Sequence, residues 1–332
     1  MRHRPVAVAV AALLLASGVA ACGERDPLQV GTPKPASPAA APSPTASAAG
    51  MAWRVPGAAR AEAITVESGG RRLAVGVDNP PRLAILNAVT GETVHSVTLS
   101  AVPSHVAARP GGGFRAVAGR ELVAVTPDGD ASTSPLPWQA GQLALLPDGA
   151  AAVAFPGAGR VGVYGADGQR VRVIKTGGRP TGIAASGRTV GVVDADATSL
   201  AAYDTKTGER AEELRAGNGA LHVVADAKGR FVVADTRDGE LLVFATGPLY
   251  LRQRYPVTGS PYGMAYDPRR HVVWVTVTAK NQVVGYDLSG GAPREVARHD
   301  TVRQPNSVAV DLGSGTVFVA GQAQGVVQSI PG

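Results

Sequence analysis

A short apolar strand returns at a nearly constant interval along most of this chain, and that period limits the fold more than any other feature. It opens as "ITVES" at Ile64, "VAARP" at Val106, "LALLP" at Leu143 and "IAASG" at Ile183. It opens again as "VVADA" at Val223, "MAYDP" at Met264 and "VAVDL" at Val308. The spacing is about forty residues, the scale of a repeat that stacks one supersecondary unit on the next. From residue 51 onward the apolar residues fall in short Val-rich runs broken by Gly, Asp, Pro or Asn, the pattern of strands rather than of amphipathic helices.

Each unit also repeats within itself. A first strand ends in a turn such as "PDG", "AKGR" or "PRRH", and a second follows, such as "AAVAF", "RFVVA" or "VVWVT". A third, such as "RVGVYG", "ELLVFA" or "QVVGYD", leads through a further turn into a fourth. Four strands in about forty residues make one blade of a β-propeller. The fold class is therefore all-β, a seven-bladed propeller of four-stranded blades, with eight blades as the alternative. The last unit, residues 306–332, holds three strands. The N-terminal "MAWRVPG" at 51–57 is expected to supply its fourth and close the ring, which hides an open sheet edge.

The repeat resembles the YVTN-type propellers, a bacterial branch of the group that includes NHL-like proteins. The resemblance rests on "P-x-G-(I/M)-A" at Pro180–Ala184 and Pro261–Ala265 and on the looser "PNSVAVD" at Pro305–Asp311. "VVAD" at Val232–Asp235 and "AAYDTKTGE" at Ala201–Glu209 add to it. It covers residues 51–332 and implies a scaffold, not a particular chemistry.

The N-terminus reads as an export signal. Arg2 and Arg4 precede the apolar run "VAVAVAALLLASGVA", too short for a transmembrane span and ending in small residues. Val19-Ala20-Ala21-Cys22 resembles the lipobox of bacterial lipoproteins, which implies lipidation at Cys22 after removal of residues 1–21. Cys22 is the one cysteine in 332 residues, so the mature chain has no disulfide. Residues 22–50, rich in Pro, Ala and Ser, are expected to form a flexible tether. The expected address is the extracytoplasmic face of the cell membrane, held through the N-terminal lipid. Loss of Arg2 and Arg4 lowers the net charge from +6 to +4, too mild for a nucleic-acid groove.

Propeller ligands usually meet the face formed by the loops entering each first strand. Residues at those positions include Glu62, His105, His222, Tyr262 and Asn306, and the loops after the second strands add Asp78, Asp194 and Asp235. We take Glu62, His105, Asp194, His222, Asp235, Tyr262 and Asn306 as the candidate ligand contacts. His105 and His222 come from units far apart around the ring, which argues against one shared metal ion. Glu62, Asn306 and a rim aspartate resemble the divalent-metal sites of gluconolactonase-type propellers, whose oxygen ligands suit Ca²⁺ or Mg²⁺. No nucleophile elbow, phosphate-binding loop or other complete catalytic set is present. The reading is a monomeric binding or interaction module of the cell envelope that needs no cofactor. Its ligand would be a protein, glycan or small molecule, and its alternative is a metal-dependent lactonase or other hydrolase.

Overall fold

A computed structural model describes residues 36–67 and 69–332; Cys22, the signal segment and the first part of the tether lie outside the described residues. The strands form seven antiparallel four-stranded sheets. Six blades are continuous in sequence, spanning 61–98, 103–135, 143–175, 180–215, 220–256 and 261–300. The seventh joins Pro305–Val310, Val317–Gly321 and Val326–Ile330 to the N-terminal strand Met51–Arg54. Met51 pairs with Ser329 and Arg54 with Val326, so the ring closes as expected. Each first strand touches those of the two adjacent blades in an unbroken cycle, and the strand Ala61–Val66 meets Pro305–Val310 to complete it.

Alternation within the strands explains the near-continuous apolar runs. In the strand Phe231–Asp235, Phe231 and Val233 enter the core shared with the fourth blade, while Val232 and Ala234 enter the core shared with the sixth. Successive side chains leave a strand on opposite faces, so a strand buried on both faces is apolar along most of its length, with buried polar exceptions such as Asp235 and Thr276. Seven separate apolar clusters result, one for each interface between neighbouring blades. Trp274 packs in the core between the sixth and seventh blades. The outermost strands have polar, exposed patterns, as in Thr93–Thr98 and Tyr250–Pro256.

The P-x-G motif has a steric cause. A β-carbon on Gly182 would lie 2.6 Å from the carbonyl oxygen of Leu221, and one on Gly263 would lie 2.5 Å from that of Asn306. Both carbonyls belong to the next blade's first strand, so glycine lets the inner strands approach backbone to backbone. Gly182→Ala is expected to push the fourth and fifth blades apart and to cost about 1–3 kcal/mol, read from urea unfolding.

At the far end of the first strands, acid–arginine pairs staple three of the blades to the next. Asp226 accepts 2.8 and 2.6 Å hydrogen bonds from the backbone N–H and Nε of Arg230, whose outer nitrogen donates to the Leu288 carbonyl of the sixth blade at 2.8 Å. The Asp267–Arg270 pair reaches Leu312 and Gly313 of the seventh blade in the same way. Arg72, paired with Glu67 in the first blade, reaches the Pro127 carbonyl of the second. His271 lies at this end and shares a hydrogen bond with the Tyr266 hydroxyl.

Candidate functional site at the channel mouth

A β-bulge interrupts the start of the first strand in six of the seven blades. The pairing register shifts between Ala61 and Ala63, Pro103 and His105, Pro180 and Gly182, Ala220 and His222, Pro261 and Met264, and Pro305 and Ser307. A bulge re-aims the residue it releases from the ladder. The residues within these shifts include Glu62, Ser104, Thr181, Leu221, Tyr262 and Asn306, and all of them line one cavity of about 740 Å³ at the channel mouth. Every blade contributes its first strand to that wall, with Gln142 standing for the third.

His105 and His222 also line it. They are close enough that positive charge on His105 would disfavour charge on His222. Burial pushes both imidazoles down to about 4, so both are neutral near pH 7. Gln142 Nε2 lies 2.8 Å from His222 Nδ1, where an amide donor fixes that nitrogen as the acceptor. The Tyr262 ring meets His222 edge to face, with centroids 4.3 Å apart, and burial raises its phenol. His105 Nδ1 is buried without a hydrogen-bond partner.

A hydrogen-bonded chain runs along the seventh blade. Gln322 Nε2 donates to Glu62 Oε2 at 2.6 Å, Asn306 Nδ2 donates to Gln322 Oε1 at 2.6 Å, and Gln304 Nε2 donates to Asn306 Oδ1 at 3.1 Å. Glu62 has a further partner in Arg60, 3.5 Å away. Glu62 and Asn306 are thus linked through Gln322, a residue outside the expected set. Its position just after a second strand, where other blades carry aspartate, was its sequence signal.

The structure removes Asp194 and Asp235 from the cavity wall. Asp194 accepts backbone hydrogen bonds from Arg179, Asp196 and Ala197 at 2.8–3.2 Å. Asp235 accepts them from Asn218, Arg237 and Asp238 at 2.8–3.1 Å and is fully buried. Asp78 binds Ala59 and Arg60 in the same way. These carboxylates tie the turn after the second strand to the loop entering the blade, a local structural role. Gly178 and Gly217, at φ +47° and +73°, make the room: a β-carbon on either would overlap the carboxylate. The oxygen set imagined for a divalent ion is therefore not assembled. Among the described residues, no three His, Cys, Asp or Glu side chains gather as metal ligands would.

No protein-family profile matches the sequence, and no curated protein matches it. Solved structures do match the fold. Hydrazine synthase from Kuenenia stuttgartiensis superposes with a TM-score of 0.72 at 17% identity, over 84% of this chain and 97% of that one. Virginiamycin B lyase from Staphylococcus aureus gives 0.70 at 13% identity, over 84% and 97%. The β-propeller domain of Cps50 (Swd1) from Myceliophteria thermophila gives 0.72 at 13%, with the same coverage. The chain is a seven-bladed β-propeller, and its neighbours include enzymes as well as a propeller domain of another kind.

Proposed function

We propose that this protein is an exported, lipid-anchored propeller of the YVTN type that binds an uncharged, hydrogen-bonding ligand of the saccharide class at its channel mouth. The observation that carries the reading is the neutrality of the cavity wall. His105 and His222 are uncharged at neutral pH, and the Glu62 charge is shared with Arg60 and Gln322. Tyr262 and Gln142 offer donors and acceptors, and the Ser104 and Thr181 hydroxyls, which donate to the Gly141 and Leu221 carbonyls, offer acceptors. The two charged side chains in the wall, Arg60 and Glu62, face each other at 3.5 Å, so an ionic ligand would lose its hydration there without gaining a free counter-charge, whereas hydroxyl and amide groups find partners. Tyr262 supplies the flat apolar face on which a sugar ring can rest.

Thermal unfolding in the presence of neutral oligosaccharides tests this. A saturating neutral sugar should raise Tm, since a ligand at about 100 times its Kd stabilises by about 2.7 kcal/mol. Tyr262→Ala should abolish the shift, and the matching uronic-acid oligosaccharide should bind more weakly. Equal or tighter binding of the anionic sugar, or an undiminished shift in Tyr262→Ala, would refute the reading. The anchor has a separate test: Cys22→Ala should leave the membrane fraction or remain unprocessed.

A further inference from the structure

Residues 36–50 contain no regular helix or strand, although they form the second half of the expected tether. Their main chain is nevertheless bonded to the propeller at Ala39, Ala41 and Pro42. Ala39 N–H donates to Ser260 Oγ at 3.0 Å, and the Ala39 carbonyl accepts from Gln304 Nε2 at 3.0 Å. Ala41 N–H donates to Gln304 Oε1 at 2.8 Å, and its carbonyl accepts from Arg303 Nε at 3.2 Å. The Pro42 carbonyl accepts from Asn281 Nδ2 at 3.0 Å. Ala41 is 4% exposed, so its methyl group is enclosed.

These bonds share one character: each joins a propeller side chain to peptide backbone. The Gln304 amide acts as a two-pronged clamp, bonding one ligand carbonyl and one ligand N–H two residues apart, the spacing presented by one edge of an extended peptide. Asn281 is itself 4% exposed, and its Oδ1 holds the Gln304 N–H at 3.0 Å, which steadies the clamp. Ser260, Asn281 and Gln304 also stand at φ +67°, +51° and +57°. Asn281 holds the left-handed turn between second and third strands that Gly119, Gly159, Gly239 and Gly325 hold in other blades, while Ser260 and Gln304 hold that conformation just before the first strands of the sixth and seventh blades. Six non-glycine residues have positive φ among those described, and three of them contact or steady this one segment.

We propose that Ser260, Asn281, Arg303 and Gln304 form a peptide-binding site between the sixth and seventh blades. Its ligand is an extended segment of small residues and proline, and its built-in occupant is the chain's own residues 39–42. Recognition through the backbone demands little of the sequence beyond small side chains, which suits "SPAAAPSP" at 37–44. Docking there brings Ala36, Ser37 and Pro38 to the wall of the channel-mouth cavity. The site shares Gln304 with the mouth chain, through its bond to Asn306, but the proposal rests on the segment's own bonds and survives failure of the saccharide reading.

The test uses the full chain. In the wild type, the Ala39 and Ala41 amides should exchange with solvent much more slowly than those of an unstructured peptide. Gln304→Gly removes the clamp at a φ that glycine tolerates, so those two amides should lose protection while blade amides keep theirs. Ala41→Asp should release the segment and leave the site intact. A labelled synthetic peptide of residues 37–44 should then bind Ala41→Asp saturably. It should bind the wild type at least about 100-fold more weakly, because the tethered copy competes at an effective concentration in the millimolar range. Unprotected Ala39 and Ala41 amides in the wild type would overturn the proposal. So would peptide binding to Ala41→Asp no tighter than to the wild type, or binding that persists when Gln304→Gly is added.

Discussion

Asp226→Ala is expected to lower the folding stability by about 3–5 kcal/mol, the range for removing one partner of a buried ion pair. The size comes from what is left behind. The Arg230 side chain is 8% exposed and that of Asp226 is not exposed at all, so the guanidinium would remain buried without its counter-ion. The carboxylate also accepts backbone hydrogen bonds from Lys228 and Arg230, so its loss frees two N–H groups in the turn. Because Arg230 reaches Leu288 in the next blade, loosening that turn also weakens an inter-blade joint. Replacing Glu295, whose partner Arg298 is as exposed as itself, should change little by comparison. Urea midpoints of the two variants measure the contrast, and equal midpoints would contradict it.

Stability should also fall steeply in mild acid, and the two mouth histidines should account for much of the loss. Each takes up a proton near pH 6.5 in the unfolded chain but only near about 4 in the folded one. Between those values the unfolded state binds more protons, so lowering the pH favours unfolding. Their contribution is complete above 6.5 and is lost as the pH falls through that window towards 4. The slope approaches about 1.4 kcal/mol per pH unit for each histidine. The double variant His105→Gln and His222→Gln should flatten the pH dependence over this range. Carboxylate contributions are common to both proteins and cancel in the comparison. An unchanged slope would mean that the imidazoles are hydrated well enough to charge in place.

Blade architecture was legible in the sequence because its cause is local. A strand packed on both faces is apolar along its run, and residues 231–234 show that directly, with Asp235 capping a turn at the end of the strand. The missing strand of the last unit likewise pointed to Met51–Arg54. Positions at the mouth were legible through the period, which aligned Glu62, Tyr262 and Asn306 before any bulge was visible. The period could not separate a ligand-facing aspartate from one that caps a turn. Asp194 and Asp235 have the same sequence address as a rim residue, and only the glycines at 178 and 217 betray the carboxylates folded back onto them. The docked segment at 39–42 was hidden for a different reason. It is held by its main chain, and backbone hydrogen bonds leave no mark on residue choice beyond small size.

The seventh blade also sets a schedule for synthesis. Its outer strand is made before the first blade and its other three strands after the sixth; the Ala49–Gln328 hydrogen bond beside the seam links positions 279 residues apart. At about 5–20 residues per second, the waiting time is tens of seconds. Throughout it, the flank of the first blade that will pack on Phe318, Ala320 and Val327 has no partner. A first blade that folded within that interval would carry an uncovered apolar face until the last three strands arrive. That interval is when binding by a holdase, or pairing with a second nascent copy, would compete with closure of the ring.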